Sequence, residues 1–188
     1  MKNKSLFYSS GISFLICLLL SLSFKVFSQE SNDITGLKIE VKEVEAAKAL
    51  VIKTSVPINE IGPKMGEMYG KLFGFLEENN IEPVGPPFAV YYEFNPEGNT
   101  TFETGIPVAQ TVEGNEVISF KEFPAMKVAT TIYTGAYETF IPVYEALSKY
   151  LEENKLESDG TTWEIYLTDP NEVEDPNENQ TIIYFPIK

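Results

Sequence analysis

WEIYLTDP, residues 163–170, places a glutamate inside a stretch that otherwise has the aromatic and β-branched residues of a strand. Side chains alternate between the two faces of a strand. Trp163, Ile165 and Leu167 therefore share one face, and Glu164 lies on the other. Because a buried carboxylate without a partner is costly, we expect this second face either to be wet or to supply Glu164 with a partner, a proton or a cation.

The same pattern occurs earlier in the chain. FAVYYEFNP (88–96) matches WEIYLTDP, and FLEENNI (75–81) matches YLEENKL (150–156), about 75 residues apart, whereas landmarks outside these segments recur about 79 residues apart. A four-residue difference within a helix is about one turn. The sequence therefore predicts a duplicated unit, with halves at about residues 37–110 and 116–188 and a longer helix in the first half.

Each half reads as strand, helix, strand, strand. Apolar residues three or four apart predict helices at about residues 60–78 and 139–153, and their methionines and aromatics are typical of a core. In the second half, β-rich stretches predict strands at about residues 125–133, 163–168 and 181–187. These elements predict an α+β fold of two β-α-β-β modules, related by a pseudo-twofold axis, with antiparallel sheets around a central groove.

Packing decides which face of each strand meets a helix. We expect the bulky set of Trp163, Ile165 and Leu167 to pack on the helix of its own half. The corresponding residues of the first half are Phe88, Val90, Tyr92 and Phe94. The opposite faces, with Glu164 and Tyr166 from one half and Ala89, Tyr91 and Glu93 from the other, would then line a shared groove. The alternative is a wet face on which Glu164 is an ordinary surface residue.

The N-terminal segment predicts export. Residues 1–28 begin with two lysines, continue through an apolar run at 12–22 and end in Val-Phe-Ser, the three-part pattern of a secretory signal peptide cleaved between Ser28 and Gln29. The alternative is an uncleaved anchor, but the apolar run is shorter than the roughly 20 residues that a spanning helix needs. We therefore expect a polar leader at 29–36, no stable membrane insertion after cleavage, and a periplasmic or secreted protein.

Charge and cysteine content limit the disulfides and the kinds of binding partner that we expect for the mature chain. The only cysteine, Cys17, lies within the predicted signal and lacks the small residues of a lipoprotein cleavage site before it, so the mature chain would have no disulfide. The mature chain would carry 11 lysines and 28 acidic residues, a net charge of 11 − 28 = −17, without arginine or histidine. This balance argues against nucleic acid as a partner. It favours cationic ligands, or serves solubility alone.

One acidic loop invites a metal prediction. DPNEVEDPNEN, residues 169–179, has Val173 and Glu174 where a calcium loop of the EF-hand type needs an oxygen ligand and a glycine. We therefore interpret the loop as a solvated hairpin and predict no metal site.

The residues resemble a known family. The pattern runs from Tyr133-Thr-Gly-Ala-Tyr137 through the second helix into WEIYLTDP, and it closes with TIIYFPI at 181–187. It is similar to the GyrI-like small-molecule-binding domain, which is the effector-binding domain of AraC-type and MerR-type transcription activators. The resemblance covers about residues 37–188 and implies two β-α-β-β modules around a groove. It also implies binding of amphipathic, often cationic aromatic compounds.

The resemblance also implies the site residues. A glutamate on a late strand meets the positive charge of the ligand in this family, and the matching residue here is Glu164. The aromatic walls implied around it are Tyr166, Tyr91 and Tyr184, with Tyr137 and Phe140 near the start of the second helix. The haem-binding SOUL proteins resemble this fold too, but the chain has no histidine for their axial ligand, so no cofactor is expected.

Three functions remain open at this point. The first is a non-enzymatic, exported binding domain for a hydrophobic or cationic aromatic molecule, without the DNA-binding domain of the activators. The second is a hydrolase in which Glu164 acts as general base on water, as the resemblance implies for some family members. The third is a structural or partner-binding role in the envelope, which solvent exposure of Glu164 would favour.

Overall fold

A computed structural model describes residues 36–93, 95, 97–169 and 172–188. The predicted signal peptide and all but the last residue of the predicted leader lie outside the described residues. The strands are β1 (Glu40–Val44), β2 (Ala47–Pro57), β3 (Phe88–Glu93), β4 (Asn99–Pro107), β5 (Ser119–Phe123), β6 (Met126–Thr134), β7 (Thr162–Tyr166) and β8 (Gln180–Ile187). The helices are α1 (Ile61–Glu78) and α2 (Ile141–Glu153). Within the described part of the chain, neither helix is long and apolar enough to cross a membrane.

The strands form one antiparallel sheet in the order β1-β6-β8-β7-β3-β4-β2-β5. The strands of the two halves are arranged symmetrically: read from the opposite end, the order is unchanged when each strand is replaced by its counterpart in the other half. The α+β prediction is confirmed, and the centre of the sheet lies between β7 and β3.

The sheet is strongly curled because its connections are short. Two residues, Glu45 and Ala46, join β1 to β2, although these strands are six spacings apart in the sheet order. In a flat sheet that separation would be about 29 Å, whereas the three Cα–Cα steps of the linker span at most about 11 Å. Pro124 and Ala125 impose the same limit between β5 and β6. The sheet therefore bends into a half-barrel.

Ring contacts identify the concave face of the half-barrel. Phe123 on β5 lies 4.8 Å from the Trp163 ring on β7 and 5.6 Å from the Phe88 ring on β3, measured between centroids. Four strand spacings separate β5 from β7 in the sheet order, so these rings meet only across a concavity. Ala49, Val51 and Val90 complete this buried cluster. Both helices pack on the convex face, α1 over residues such as Ile52 and Phe102 and α2 over residues such as Ala129 and Ile183.

The predicted helix-facing set is therefore wrong. Trp163 and Ile165 alternate with Glu164 as predicted, but they face the concave cluster and not a helix, and Leu167 is 41% exposed. In the first half, Phe88 and Val90 also lie on the concave side, and Tyr92 packs there, while Phe94 is not described. Curling buries both faces of the sheet, so the need to bury bulky residues does not indicate the helix side.

Each half also has one more strand than predicted. β1 pairs with β6 and β5 pairs with β2, so each half contributes its first strand to the edge of the other half. The sequence carried the signal: VKEV at 41–44 recurs as FKEF at 120–123, again 79 residues later. The predicted difference in helix length is confirmed, since α1 has 18 residues and α2 has 13.

Four glycines weaken α1 in a testable way. Gly62, Gly66, Gly70 and Gly74 recur every fourth residue, and a Cβ added at any of them meets no atom within 4 Å. We expect Gly66→Ala and Gly70→Ala each to raise the free energy of unfolding by about 0.5–1 kcal/mol, because alanine loses less backbone entropy in a helix. Urea titration measures the change.

Gly105→Ala is the opposing control. Its added Cβ would lie 2.3 Å from the Phe88 ring, so we expect a loss of about 1–3 kcal/mol through overpacking. Equal changes in the free energy of unfolding for Gly66→Ala and Gly105→Ala would contradict this explanation.

Candidate ligand-binding site

Glu164 lies on β7 at the centre of the convex face. Its Cα partners are Ala89 on β3 and Ile183 on β8. The helix clusters lie on either side, with Tyr91 packing against the α1 cluster and Tyr144 against the α2 cluster. Only 5% of Glu164 is exposed, so the alternative of an ordinary surface carboxylate does not hold.

Three phenols donate to the Glu164 carboxylate. Tyr144 Oη donates to Oε1 in a short hydrogen bond. Tyr166 Oη donates to Oε2 at 2.5 Å, and Tyr91 Oη makes a longer bond of 3.5 Å to the same oxygen. These hydroxyls come from α2, β7 and β3, so the carboxylate joins the two halves of the domain through tyrosines.

More aromatic rings enclose these three phenols. Tyr69 of α1 and Tyr137 both present edges to Tyr166, with centroids 6.3 Å and 5.7 Å away. Tyr69 Oη donates to the Phe88 carbonyl oxygen at 2.8 Å. Phe140 contacts both Tyr137 and Tyr144, at 5.8 Å and 5.9 Å. The result is a partly buried aromatic shell around one buried carboxylate.

The structure brings together most of the predicted site residues. Glu164, Tyr166 and Tyr91 share hydrogen bonds, and Tyr137 and Phe140 lie in the surrounding shell. Tyr184 does not join them. It pairs with Trp163 in register, so it lies on the concave side, where Lys42 Nζ is 5.1 Å from its ring centroid. The prediction for Tyr184 rests on its being an aromatic residue of the last strand, and it does not consider which face of that strand the side chain occupies.

Sequence reasoning missed Tyr144 and Tyr69 as site residues and treated both as ordinary members of a helix core. Their signal is the repeat: both occupy the same position of the two helices, 75 residues apart. Tyr91 and Tyr166 are related by the same separation. These four tyrosines therefore form two pairs related by the pseudo-twofold axis. The symmetry is broken at Glu164, because the corresponding residue of the first half is Ala89.

Burial controls the ionisation of the site. Removal from water raises the pKa of Glu164 above its ordinary value of 4.5, and the hydrogen bonds from Tyr144, Tyr166 and Tyr91 act in the opposite direction. Burial, followed by the nearby Glu164 charge, raises the pKa of Tyr166 and Tyr144 well above 10. The phenols therefore stay protonated near neutral pH. Glu164 is the group of this site whose protonation state can change when its surroundings change.

This raised pKa predicts how stability depends on pH. A carboxyl whose pKa is higher in the folded than in the unfolded state favours folding below the unfolded pKa, and the contribution is lost as pH rises through the folded pKa. We expect Glu164→Gln to gain stability relative to wild type as pH rises, by about 1.4 kcal/mol for each unit by which folding raises the pKa. Urea titrations of both proteins at several pH values measure this, and a constant difference would contradict it.

A second buried carboxylate has a charged partner within the chain. Glu103, 4% exposed on the concave side, accepts from Lys121 Nζ at 2.8 Å and from Tyr92 Oη at 3.0 Å. Its charge is therefore neutralised by a lysine of the same chain. Among the described residues, Glu164 has no lysine within ion-pair distance. Of these two carboxylates, Glu164 is the one surrounded only by neutral donors.

Open depressions lie away from this site. One of about 430 Å³ lies at the C-terminal end of α2, lined by residues that include Leu151, Leu156 and Phe185. Another of about 380 Å³ lies beside the strand linkers, at Ala46 and Pro124. Neither is lined by Glu164 or its phenolic partners. Among the described residues, no three or more aspartates, glutamates or cysteines cluster closely enough to hold a metal ion.

The arrangement of two helices over a curled antiparallel sheet matches known proteins. A sequence model of the GyrI-like small molecule binding domain matches residues 37–188. The chain belongs to this family. No curated protein sequence matches the chain.

Solved structures share the fold of this GyrI-like domain. A cryo-EM structure of EcmrR with DNA has a TM-score of 0.73 at 20% identity over 81% of this chain, which spans 57% of that protein. The isolated EcmrR C-terminal domain has a TM-score of 0.68 at 21% identity, over 81% of this chain and 98% of that one. A hydrolase from Listeria innocua has a TM-score of 0.63 at 12% identity, over 80% and 92%. SAV2435 bound to tetraphenylphosphonium has a TM-score of 0.56 at 9% identity, over 80% and 94%.

Proposed function

We infer that this GyrI-like domain binds an aromatic or hydrophobic cation between α1 and α2, with Glu164 as its counter-ion. The observation that carries the proposal is a buried carboxylate that receives hydrogen bonds from phenols and has no lysine partner among the described residues. A buried negative charge requires a proton or a cation. The chain supplies a lysine to Glu103, and an external cation would serve the same purpose at Glu164.

The aromatic shell defines the rest of the ligand. Ring faces attract cations by about 0.5–2 kcal/mol each, more when the cation is desolvated. Tyr69 and Tyr137 both contact Tyr166 beside the carboxylate, so an apolar or aromatic body next to the positive charge can pack on these rings. Since Glu164 is only 5% exposed, binding requires these side chains to rearrange around the ligand. SAV2435, which shares the fold, is itself bound to a lipophilic cation.

We place this binding outside the cytoplasm. The support is the signal-peptide pattern of residues 1–28 and the net charge of 11 − 28 = −17 that would follow its removal. A negative field attracts cations from solution. The same net charge argues against DNA binding by the mature domain.

Titration with three matched probes tests the proposal. They are N,N-dimethyl-naphthylmethylamine, which is protonated at neutral pH, its N,N,N-trimethyl ammonium analogue, and neutral naphthylmethanol. Isothermal titration calorimetry measures the affinity of each probe. We expect wild type to prefer the cations over the alcohol, and Glu164→Gln to lose at least about tenfold in affinity for the preferred cation, because it loses a buried charge pair.

Glu103→Gln is the matched control, since it removes the other buried carboxylate on the opposite side of the sheet. Its affinity for the cations should equal that of wild type. Equal binding by wild type and Glu164→Gln, or binding by neither, would rule out Glu164 as a counter-ion.

A second candidate function is hydrolysis with Glu164 as general base. One observation favours it: burial raises the pKa of Glu164 toward the range in which a carboxylate works as a base near neutral pH. Incubation with an aryl epoxide, followed by detection of the diol, separates the two functions. Turnover that Glu164→Gln abolishes would favour the enzyme, and absence of turnover alongside cation binding would favour the binding domain.

A further inference from the structure

The hydrogen-bonding capacity of Glu164 is only partly used. An ionised carboxylate has about four acceptor positions on its two oxygens. Oε2 accepts from Tyr166 at 2.5 Å and from Tyr91 at 3.5 Å, whereas Oε1 accepts only from Tyr144 among the described residues. One acceptor position on Oε1 therefore has no donor in the described part of the chain, and the bond from Tyr91 is at the long limit. A ligand that donates a hydrogen bond can use this capacity.

The phenols also restrict which cations can reach the carboxylate. Three hydroxyl groups surround it, so a cation whose charge is shielded by carbon groups must displace a phenol or stay outside this ring of oxygens. An N–H group is small and approaches a carboxylate oxygen to about 2.7–2.9 Å. It can therefore add to the existing donors or replace the weakly held hydroxyl of Tyr91.

Two buried threonines add a second, independent observation. Thr104 and Thr181 are fully buried, and their hydroxyl oxygens have no hydrogen-bond partner among the described residues. Thr181 is the Cα partner of Tyr166, and Thr104 is the Cα partner of Ala89, the direct neighbour of Glu164. Cα partners in an antiparallel sheet share a face, so both threonines lie on the convex face with Glu164. A threonine hydroxyl can accept as well as donate.

These groups favour a cation that donates a hydrogen bond over a cation whose charge is shielded by carbon groups. Apart from the donated protons of the phenols, the convex face around Glu164 offers oxygens that accept: the free position on Oε1, the phenolic oxygens themselves and the threonine hydroxyls. A quaternary ammonium or phosphonium cation has no proton to give them. A protonated amine satisfies an oxygen with each N–H and places its charge closer to the carboxylate.

We propose that the ligand of this site is a protonated amine that donates an N–H to Glu164 Oε1, in preference to a cation that has no N–H. The inference rests on the proposed function, because it requires Glu164 to serve as the counter-ion. It goes further by naming the chemical class: an aromatic or hydrophobic amine with at least one proton on its nitrogen. Thr181, beside Tyr166, accepts from a further polar group of such a ligand.

The two cationic naphthyl probes test this directly, since they differ by one methyl group in place of the N–H. We expect wild type to bind the dimethyl amine at least about tenfold more tightly than the trimethyl analogue, as expected for a hydrogen bond to a charged group. Glu164→Gln should remove this preference. A naphthylmethylamine with a free NH₃⁺ group should bind wild type more tightly than the same ligand binds Thr181→Val, a variant of nearly equal shape.

The outcomes separate this inference from the proposed function. If both cations bind wild type equally, or the trimethyl analogue binds more tightly, and both lose affinity in Glu164→Gln, the N–H preference is overturned while the cation site stands. If neither cation depends on Glu164, the proposed function itself fails. Unchanged affinity of the primary amine in Thr181→Val overturns the role of the threonine.

Discussion

The affinity of this GyrI-like domain for the dimethyl amine probe is expected to fall about tenfold for each pH unit below the pKa of Glu164. Over two units the loss reaches about a hundredfold. The ligand requires the charged carboxylate, and burial raises the pKa of Glu164, so the ligand-free site holds a proton at a pH where an exposed glutamate is ionised. Binding then releases that proton, and acid opposes binding.

The other groups around Glu164 do not titrate in this range. The phenols that face it from α1, β3, α2 and β7 belong to Tyr69, Tyr91, Tyr144 and Tyr166, and burial raises the pKa of each. Burial also raises the pKa of Tyr137, which lies next to Tyr166. The amine of the probe stays protonated between about pH 5 and about pH 8, since alkyl ammonium groups titrate near 10. The pH dependence therefore reports Glu164.

Calorimetric titrations across this pH range measure the effect, and their repetition in two buffers of different ionisation enthalpy counts the released proton. Glu164→Gln is the control, and we expect its weak residual affinity to be independent of pH. A wild-type affinity that is flat with pH would contradict a raised pKa in the ligand-free site. An equal slope in wild type and Glu164→Gln would assign the proton to another group.

The second large effect is expected on the concave side of the sheet. Lys121→Met removes the cation from Glu103, whose side chain is 5% exposed, while the side chain of Lys121 is 37% exposed. Loss of one partner of a buried ion pair costs about 3–5 kcal/mol. Because Lys121 is partly solvated, we expect a loss of about 2–3 kcal/mol in the free energy of unfolding, measured by urea titration.

Lys53→Met is the matched control for Lys121→Met. Lys53 Nζ lies 4.1 Å from the centroid of the same Tyr92 ring that Lys121 contacts, but it makes no ion pair with another described residue. Its loss should cost no more than about 1 kcal/mol.

The repeat supplies a rescue variant for Lys121→Met, because Ile182 occupies the position of Glu103 in the second half, 79 residues later. We expect Glu103→Ile with Lys121→Met to recover most of the stability, since an apolar pair of similar volume replaces the ion pair. Equal losses for Lys121→Met and Lys53→Met would show that Glu103 does not depend on its lysine.

The sequence was enough for the helices, most strands and part of the composition of the site. Periodicity predicted α1 and α2 to within a few residues, and the repeat predicted the longer α1. Alternation along β7 separated Glu164 from Trp163, and the resemblance added Tyr91, Tyr137 and Phe140 around it. These predictions follow from interactions over a few residues, from comparison of the two halves or from the resemblance to a family, and none of the three requires knowledge of how the sheet bends.

Long-range pairing decided the rest. The edge strands β1 and β5 pair with β6 and β2 of the opposite halves, and only this exchange, with its two-residue linkers, forces the curl that packs Trp163 against Phe88 on a concave face. Strand parity states which residues share a face, but not which face meets the helices. That choice was predicted wrongly, and the side on which Tyr184 lies depends on the register of β8 with β7.

The sequence by itself determined that one carboxylate would lie in an otherwise apolar and aromatic strand, at a position where the other half of the repeat has an alanine. The tertiary structure alone decided that Glu164 is enclosed, because Tyr144 reaches it from a helix 20 residues away and Tyr91 from a strand 73 residues away. The spacing of residues along a chain determines local alternation, whereas the burial of a charge depends on every element that packs against it.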